Sequence, residues 1–495
     1  MIEIYPAARY NKYRMTYHLS LKRREGAGFM DSMIQQYLDD LHGKRVAVIG
    51  IGVSNTPLIK LLVRAGIDVT ACDKRPREAF GGQAEALESL GVTLHLGEDY
   101  LDGLDQDVIF RTPGMRPDVP QLLAARDRGA VITSEMEVFF QVCPCKTIAV
   151  TGSDGKTTTT TIIAELLKAA GYTTYVGGNI GRPLLSDVEG MEGDDIAVLE
   201  LSSFQLMTMD QSPDIAVVTN LAPNHLDVHR DMDEYVAAKE NIYLHQSEEG
   251  LVVLNADNEI TRSFAPKAKG KVTMFSRQKE LEKGVFVRNG AIWVADEKGS
   301  RPVLELDGIL LPGVHNVENY MAAIGALNGI VPDEVIREFA AKFQGVEHRI
   351  ELVRTLDGVR YYNDSIASSP SRTAAGLRCF PEKVILIAGG YDKHIPFDPL
   401  GPEITAHVKT LVLTGATSAK IRAAVERTPD YTPGHPEILE YSDFTAAVLA
   451  ASRAAKPGDV VILSPACASF DKFKNFAERG AAFKKIIYEL ESTGK

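Results

Sequence analysis

The chain is short of cysteine and carries no excess of positive charge. Its 495 residues include five scattered cysteines, an odd number that predicts neither a disulfide framework nor a zinc site, so we expect reduced, cytosolic thiols. Cys143-Pro144-Cys145 offers one pair of thiols, whereas a structural zinc site needs a second pair of ligands. A net charge of −12 argues against nucleic acid as a partner.

Long apolar runs are missing as well. No segment approaches the roughly 18 consecutive apolar residues of a membrane span, so we expect no membrane association. Residues 1–29 are polar and locally basic, and they lack the apolar centre of a signal peptide. We interpret 1–29 as a disordered extension, or as sequence upstream of a true start at Met30.

What the chain does contain is an ordinary globular composition, with 45% apolar and 24% charged residues. At roughly 150 residues per domain, its length predicts about three domains. Short β-branched apolar runs alternate with segments of helical spacing along the whole chain, which predicts successive α/β domains with mostly parallel sheets. We place the boundaries at 30–143, 144–345 and 346–495.

The segment "VTGSDGKTTTTTI" (Val150 to Ile162) has the order of a phosphate-binding loop. A predicted strand leads into two glycines, and Lys156 and Thr157 then open a predicted helix whose N–H groups and dipole favour an anion. The generic loop pattern requires a glycine at the position of Val150, so the segment fails that test. A glycine turn followed by threonine caps is the alternative.

Glu200 ends a predicted buried strand in "LELSSFQL" (Leu199 to Leu206). The carboxyl ends of parallel strands are where α/β sheets bind ligands, and a carboxylate there suits a Mg²⁺ ion bridging phosphates. Taken alone, however, the segment favours a helix cap.

His225 and His229 lie four residues apart in "TNLAPNHLDVHR" (Thr219 to Arg230). A loop does not fix two such histidines on one face as the helix of a zinc-binding H-x-x-x-H motif does. The residues alone therefore favour two hydrogen-bonded loop histidines.

Gly50 and Gly52 follow the first predicted strand, and Asp73 comes about twenty residues later. This spacing resembles a β-α-β dinucleotide-binding unit, but Asn55 stands at the third glycine position. The pattern is therefore weak evidence for NAD, and a dehydrogenase stays open as an alternative.

Several of these motifs together resemble the Mur ligase family. "TGSDGKT" is similar to the ATP loop of Mur ligases and folylpolyglutamate synthases, T-G-[ST]-N-G-K-[ST], which has no first glycine. "ELSSFQL" and "LSPACASFDKFKNFAERGAAF" (Leu463 to Phe483) resemble the branch of the family that adds D-glutamate. The resemblance runs from about Met30 to the C-terminus, and it implies a Rossmann-like N-terminal domain, a central P-loop ATPase domain and a Rossmann-like C-terminal domain.

The resemblance also implies a role for residues in each domain. It assigns ATP to Gly152, Ser153, Asp154, Gly155, Lys156, Thr157, Thr158, Asn316, Asn319, Arg349 and Asp364, with Lys156, His225 and Lys239 as the catalytic residues. It assigns two Mg²⁺ ions to Thr157, Glu200, His225 and Lys239, with Lys239 N-carboxylated. It assigns the uridine nucleotide to Val53, Ser54, Asp73, Lys74, Arg75 and Asn179, and the incoming amino acid to Ser368, Lys393, Ser469 and Phe476.

The activity implied by the resemblance is ATP-dependent addition of D-glutamate to UDP-N-acetylmuramoyl-L-alanine through an acyl phosphate, by a cytoplasmic monomer. Four residues depart from the family pattern: Asp154, Asn224, Ile366 and Ser368. Ile366 and Ser368 replace a lysine and a threonine near the amino acid, so a related ligase that adds a different amino acid stays open. A non-catalytic nucleotide-binding regulator is disfavoured, because Lys156, Glu200, His225 and Lys239 are all present.

Overall fold

The computed structural model describes residues 33–223, 228–393 and 395–492. These residues form three α/β domains in chain order, each built around its own sheet. The predicted extension at 1–29, the start at Met30 and the ligand candidate His225 lie outside the described residues. Within the described ranges, no helix combines the length and apolar character needed to cross a bilayer.

The N-terminal domain contains a five-stranded parallel sheet of order β3-β2-β1-β4-β5. Its strands are β1 (Val46–Ile49), β2 (Val69–Asp73), β3 (Thr93–Leu96), β4 (Val108–Phe110) and β5 (Val131–Thr133). Its helices are α1 (Met33–Leu41), α2 (Asn55–Arg64), α3 (Gly82–Glu88), α4 (Pro120–Asp127) and α5 (Glu135–Val142).

The central domain contains a nine-stranded sheet of order β14-β13-β12-β11-β10-β9-β6-β8-β7. Its strands are β6 (Lys146–Thr151), β7 (Thr174–Gly178), β8 (Ile196–Glu200), β9 (Ile215–Val218), β10 (Leu251–Asn255), β11 (Lys271–Ser276), β12 (Gly284–Arg288), β13 (Ala291–Asp296) and β14 (Gly299–Glu305). Its helices are α6 (Lys156–Ala169), α7 (Ser203–Leu206), α8 (Met232–Leu244), α9 (Glu259–Arg262), α10 (Val314–Leu327) and α11 (Asp333–Ala340). The β12–β13 and β13–β14 pairs are antiparallel, and the other pairs of described strands in this sheet are parallel.

The C-terminal domain contains a six-stranded sheet of order β15-β16-β20-β17-β18-β19. Its strands are β15 (Glu351–Leu356), β16 (Val359–Asn363), β17 (Val384–Ala388), β18 (Val408–Thr414), β19 (Glu437–Tyr441) and β20 (Val460–Leu463). Its helices are α12 (Pro370–Leu377), α13 (Gly401–His407), α14 (Ser418–Glu426), α15 (Phe444–Ala454) and α16 (Phe476–Glu489). The β15–β16 pair is antiparallel and the other pairs are parallel.

The central strands are mostly apolar and lie between helices on both faces of the sheets. β1, β8, β9, β17 and β20 are buried at every position, as parallel sheets require. Buried residues of the N-terminal domain, such as Phe139, belong to the same hydrophobic cluster as Leu185 of the central domain. The prediction of three successive α/β domains with mostly parallel sheets is confirmed.

Candidate functional site

Three neighbouring strands of the central sheet bring the predicted ATP residues together. β6 lies between β8 and β9, and all three run parallel. Their carboxyl ends therefore meet at one edge, which is where open α/β sheets bind ligands. The loop 152–155 leaves β6, Glu200 ends β8, and Thr219 follows β9.

The two glycines of the loop are required by its close contacts. At Gly152, with φ of 150°, an added Cβ would lie 2.0 Å from Thr219 Oγ1. At Gly155, with φ of 78°, an added Cβ would lie 2.4 Å from Asn319 Oδ1. The backbone therefore passes against the ends of β9 and α10 as only glycine allows.

Residues from the end of β9 brace this loop. Thr219 Oγ1 donates to the Asp154 carbonyl at 2.6 Å, and Asn220 Oδ1 accepts from the Asp154 N–H at 3.0 Å. The buried Ser153 hydroxyl lies 2.9 Å from the Ala222 carbonyl. The Asp154 side chain is exposed. Sequence reasoning gave Thr219 and Asn220 no role, although their position directly after a strand paired with β6 was a usable signal.

Two lysines meet at one carbonyl oxygen of the loop. Lys156 Nζ donates to Gly152 O at 3.0 Å and to Ser153 O at 2.9 Å. Lys239 Nζ, from α8, donates to Gly152 O at 2.9 Å and to Thr151 Oγ1 at 2.9 Å. Burial lowers the pKa of both amines, and that of Lys239, only 2% exposed, lies well below its usual value because Lys156 is also near.

Glu200 presents a free carboxylate oxygen at the same edge. Its side chain is 1% exposed, and its Oε1 accepts from Asn179 Nδ2 at 2.7 Å. No described residue forms a hydrogen bond with its buried Oε2. An unpaired buried carboxylate oxygen is costly unless a cation or donor completes it, so Glu200 fits a Mg²⁺ ligand. Asn179, predicted for the uridine nucleotide, thus lies beside Glu200.

The threonines and asparagines predicted for ATP flank the loop. Thr157 is half-buried and Thr158 buried in the first turn of α6. Asn319 Oδ1 accepts from Thr159 Oγ1 at 3.2 Å, and Asn319 Nδ2 donates to Asn316 Oδ1 at 3.0 Å. Asn316 and Asn319 are buried on α10, so this chain of amides connects α10 to the phosphate-loop helix.

Arg349 and Asp364 bring charge to this edge from the C-terminal domain. The Asp364 carboxyl group accepts from Ser464 Oγ at 2.7 Å and from the Ile350 N–H at 3.3 Å. Burial raises its pKa to about 7, although the Ser464 hydrogen bond and Arg349 oppose that rise. Arg349 Nε is buried and has no hydrogen-bond partner in the described part of the chain. A buried guanidinium with a free donor fits an anionic ligand.

The described histidine of the loop pair, His229, is a packed residue. Its ring stacks on Phe204 at 5.2 Å and meets Tyr235 edge-on, and its Nε2 lies 2.9 Å from Ser203 Oγ. No group of three or more His, Cys, Asp or Glu side chains in the described ranges is placed to hold a metal. Mg²⁺ commonly takes only one or two carboxylates beside phosphates and water, so a single buried carboxylate such as Glu200 is compatible with a Mg²⁺ site.

Apart from Asn179, the residues predicted for the uridine nucleotide lie at the carboxyl edge of the N-terminal sheet. Asp73 Oδ2 accepts from the Ile51 N–H at 2.8 Å, which closes the glycine turn after β1. Arg75 is bound to both Asp73 oxygens and packs 4.2 Å over the Phe80 ring. Val53, Ser54 and Lys74 are exposed. Lys74 is therefore an exposed cation next to the Asp73–Arg75 ion pair.

The residues predicted for the amino acid lie at the ends of β16, β17 and β20. Lys393 Nζ is 3.4 Å from Ser368 Oγ. Ser469 is buried, and the Phe476 ring meets His348 edge-on at the start of α16. Nearby, buried Arg479 donates to the carbonyls of Ser365, Cys467 and Ala468, which ties the loops after β16 and β20 together. The sequence gave Arg479 no catalytic role.

Family models match the central and C-terminal domains. The Mur ligase middle domain matches residues 150–327, and the Mur ligase glutamate ligase domain matches residues 348–467. The chain is 52% identical to the UDP-N-acetylmuramoylalanine–D-glutamate ligase of Acetivibrio thermocellus, over 94% of this chain and all of that protein. It is 50% identical to the protein of the same name from Ruminiclostridium cellulolyticum, over 93% of this chain and all of that protein.

Solved structures share the fold at lower sequence identity. The UDP-N-acetylmuramate–alanine ligase of Thermotoga maritima aligns with a TM-score of 0.55 and 18% identity, covering 90% of this chain and 99% of that one. A UDP-N-acetylmuramoyl-L-alanyl-D-glutamate–2,6-diaminopimelate ligase aligns with a TM-score of 0.52 and 17% identity, covering 90% and 93%. The chain belongs to the Mur ligase family, alongside the UDP-N-acetylmuramoylalanine–D-glutamate ligases.

Proposed function

We propose that the chain is an ATP-dependent ligase that joins D-glutamate to UDP-N-acetylmuramoyl-L-alanine in peptidoglycan precursor synthesis. The reaction activates the substrate carboxylate as an acyl phosphate, which the D-glutamate amine attacks to form the amide and release phosphate. The observation that carries the proposal is the convergence of Lys156, Lys239 and the free Glu200 oxygen at the end of β6. The names of relatives about 50% identical over nearly the whole chain support it.

ATP binds at the loop, where the N–H groups in the first turn of α6 face the phosphates. Lys156 exchanges its hydrogen bonds to the Gly152 and Ser153 carbonyls for contacts with the β- and γ-phosphates, whose charge it neutralises. Arg349 donates its unpaired Nε–H to the same phosphates. Asp364 contacts the nucleotide from the C-terminal domain. Thr157 and Thr158 also hold the phosphates. Asn316 and Asn319 hold the nucleotide.

Two Mg²⁺ ions belong to this site, held by Thr157, Glu200, His225 and an N-carboxylated Lys239. Bound there, Mg²⁺ would neutralise negative charge on the phosphates. The unpartnered Glu200 Oε2 supports a cation at this edge. His225 lies outside the described residues, so its part rests on the resemblance alone.

N-carboxylation of Lys239 has a chemical basis in its surroundings. Only a neutral amine adds to the carbon of CO₂, after which the nitrogen loses a proton and the group becomes an anionic carbamate. Burial beside Lys156 holds the pKa of Lys239 well below its usual value, which favours the neutral amine. The carbamate then faces Lys156 as an opposite charge, and the repulsion between two ammonium groups disappears.

The other substrates occupy the flanking domains. The N-terminal domain, 30–143, binds the uridine nucleotide through Val53, Ser54, Asp73, Lys74 and Arg75, and Asn179 contacts the same substrate from the central domain, 144–345. The C-terminal domain, 346–495, holds D-glutamate between Ser368, Lys393, Ser469 and Phe476. The separation of Lys393 from Ser368, 3.4 Å, supports one polar subsite for the side-chain carboxylate. We place the enzyme in the cytoplasm, because ATP and nucleotide precursors are its substrates, and we propose that it acts as a monomer.

The test is product identification by mass. The protein is incubated with ATP, Mg²⁺, UDP-N-acetylmuramoyl-L-alanine and either D- or L-glutamate, with Lys156→Ala as the matched inactive control. We expect a D-glutamyl adduct, one phosphate released per adduct, and no product with L-glutamate. A product with a different amino acid from a mixed panel would instead identify a related ligase, which Ile366 and Ser368 keep open.

A further inference from the structure

One turn of the N-terminal domain is bound to the central domain by two arginines. This turn, Arg111 to Asp118 between β4 and α4, reads "RTPGMRPD". Its sequence predicts only a strand end and a turn, and neither the ATP site nor the two substrate sites above use it. Its contacts lead to the elements that carry Glu200 and Lys239.

Arg111 fixes the turn to the helix that follows Glu200. The guanidinium is buried, and its Nη1 donates to the Met115 carbonyl of the turn at 2.8 Å. Its Nη2 crosses to the central domain, donating to Thr208 Oγ1 at 2.7 Å and to the Phe204 carbonyl at 3.3 Å. Phe204 lies on α7, which begins three residues after Glu200.

Arg116 binds the chain around α8 through its guanidinium group. It binds both Asp118 oxygens, at 2.8 and 2.9 Å, which orients the fork within the turn. The fork then donates to both Glu234 oxygens, at 2.9 and 3.0 Å, and to the Val228 carbonyl at 2.8 Å. Such a set of five bonds matches the five donors of one guanidinium, and a lysine ammonium has only three.

Glu234 links this contact to Lys239. Glu234 lies in the first turn of α8, whose N-cap is Asp231, and Lys239 follows on the same helix about 7.5 Å further along the axis. Tyr235, next to Glu234, also touches the phosphate loop, with its hydroxyl 3.0 Å from Ser153 Oγ. A displacement of the first turn of α8 therefore moves Lys239 relative to Gly152 O.

The same turn touches the opposite substrate site. An added Cβ at Gly50 would lie 3.0 Å from Thr112 Cβ, so the turn packs directly on the glycine turn after β1. That glycine turn carries the residues proposed for the uridine nucleotide. The Arg111–Asp118 turn thus contacts both the glycine turn of the N-terminal domain and the central-domain elements next to Glu200 and Lys239.

We infer that Arg116 is a positioning residue of the ligase reaction, and that it sets Lys239 against the phosphate loop by holding Glu234 and the Val228 carbonyl from the N-terminal domain. The inference rests on the proposed function. Arg116 is not among the residues proposed to bind ATP or substrate, and its hydrogen bonds go to Asp118, Glu234 and the Val228 carbonyl. Its loss therefore affects the metal-dependent chemical step more than the affinity for the uridine substrate.

The chain offers a matched control in Arg230. Arg230 pairs with the same two carboxylates, Asp118 at 2.5 Å and Glu234 at 3.6 Å, but its side chain is 64% exposed against 23% for Arg116. Arg230→Met removes the same unit of charge from the same cluster without removing the bond to Val228. Arg116→Lys keeps the charge and removes the fork, so it separates charge from geometry.

The experiment compares wild type, Arg116→Met, Arg116→Lys and Arg230→Met in steady-state ligation at varied Mg²⁺. For both Arg116 variants we expect kcat to fall roughly 10- to 100-fold, as misplacement of a catalytic group by about 1 Å does. We expect the Mg²⁺ concentration for half-maximal rate to rise several-fold, with KM for the uridine substrate within about twofold of wild type. Arg230→Met should stay within about twofold on every parameter.

A second readout works without the ligation reaction. Calorimetric titration with a non-hydrolysable ATP analogue, with and without Mg²⁺, should show a reduced Mg²⁺-dependent gain in affinity for Arg116→Lys but not for Arg230→Met. If wild type binds the analogue with Mg²⁺ but ligates nothing, the proposed function fails while this comparison still tests Arg116. Wild-type kcat and Mg²⁺ dependence in Arg116→Lys, or equal losses in Arg230→Met, would overturn the inference.

Discussion

Lys156 and Lys239 donate to the same oxygen, the carbonyl of Gly152, at 3.0 and 2.9 Å. Two ammonium groups at one acceptor repel each other, and burial removes the water that would screen them. The pKa of Lys239 therefore lies well below the usual value of a lysine. Burial is the main cause, and the nearby charge of Lys156 is the second. An unmodified Lys239 in the candidate active site therefore destabilises the folded protein.

Lys239→Met should stabilise the protein while abolishing ligation. Because folding lowers the pKa of Lys239, the unfolded chain binds more protons at neutral pH, and this penalty fades as pH rises toward the usual value of 10.5. Thr151 Oγ1 keeps its bond to the Leu201 carbonyl at 2.7 Å, so the substitution leaves no hydroxyl unpaired. We expect a higher Tm than wild type at pH 7 and a gap that narrows by pH 10.

The melts are compared in bicarbonate-free buffer, so that wild-type Lys239 is unmodified, and again with added bicarbonate. Bicarbonate should raise the Tm and the ligation rate of wild type and leave Lys239→Met unchanged. A Lys239→Met protein that melts below wild type at pH 7 in both buffers would contradict a strained, neutral Lys239.

Lys156→Ala should abolish turnover. The amine is the cation closest to the phosphates in the proposed complex, and preorganised charge supplies much of the barrier reduction in phosphoryl transfer. We expect phosphate release to fall by roughly 1,000-fold or more, measured in a coupled assay. The control is Lys168→Ala on the same helix, whose amine is half-exposed and paired with Glu165 at 2.7 Å. Near-normal ATP-dependent ligation by Lys156→Ala would refute the assignment of the loop.

Gly152→Ala should remove nucleotide binding without unfolding the central domain. The added methyl group would overlap Thr219 Oγ1 at 2.0 Å and would sit on a backbone with φ of 150°, so the loop must move away from β9. We expect at least a tenfold loss of affinity for an ATP analogue by calorimetry. Gly193→Ala, where an added Cβ meets nothing within 4 Å, is the control and should bind normally.

Local patterns predicted the parts of the site that lie at strand ends. The loop before α6 and Glu200 at the end of β8 could be found because a buried apolar run shows where a parallel strand stops, and ligands bind at that edge. Cross-domain contacts could not be found in this way. The partners of Arg116 lie more than 110 residues away in Val228 and Glu234, and a turn sequence contains no signal of them. The hairpins β12–β14 were missed as well, although Asn289-Gly290 joins two apolar runs, with φ of 50° and 77°, and such a pair is a usable hairpin signal.

Wild type should lose stability as the pH rises from about 4 to 7, and Asp364→Asn should reduce that loss. Burial raises the pKa of Asp364 to about 7, from 3.8, so the folded chain holds a proton that the unfolded chain has already lost. Stability therefore falls as pH rises through this window, by an amount on the order of 4 kcal/mol. Thermal melts of wild type and Asp364→Asn at pH 5 and pH 7.5 measure the difference. The exposed Asp430 provides the control, because Asp430→Asn should keep the wild-type slope.

Lys393→Ala should raise KM for D-glutamate and leave KM for ATP unchanged. The exposed amine lies 3.4 Å from Ser368 Oγ, and the proposed subsite uses both groups to bind the side-chain carboxylate. A charge-assisted hydrogen bond of about 1.5–3 kcal/mol corresponds to roughly a 10- to 100-fold increase in KM. Lys420→Ala is the matched control, because its amine is paired with Asp392 at 2.5 Å and should not affect the amino acid. An unchanged KM for D-glutamate in Lys393→Ala, measured by phosphate release at saturating ATP, would place the carboxylate elsewhere at the ends of β16, β17 and β20.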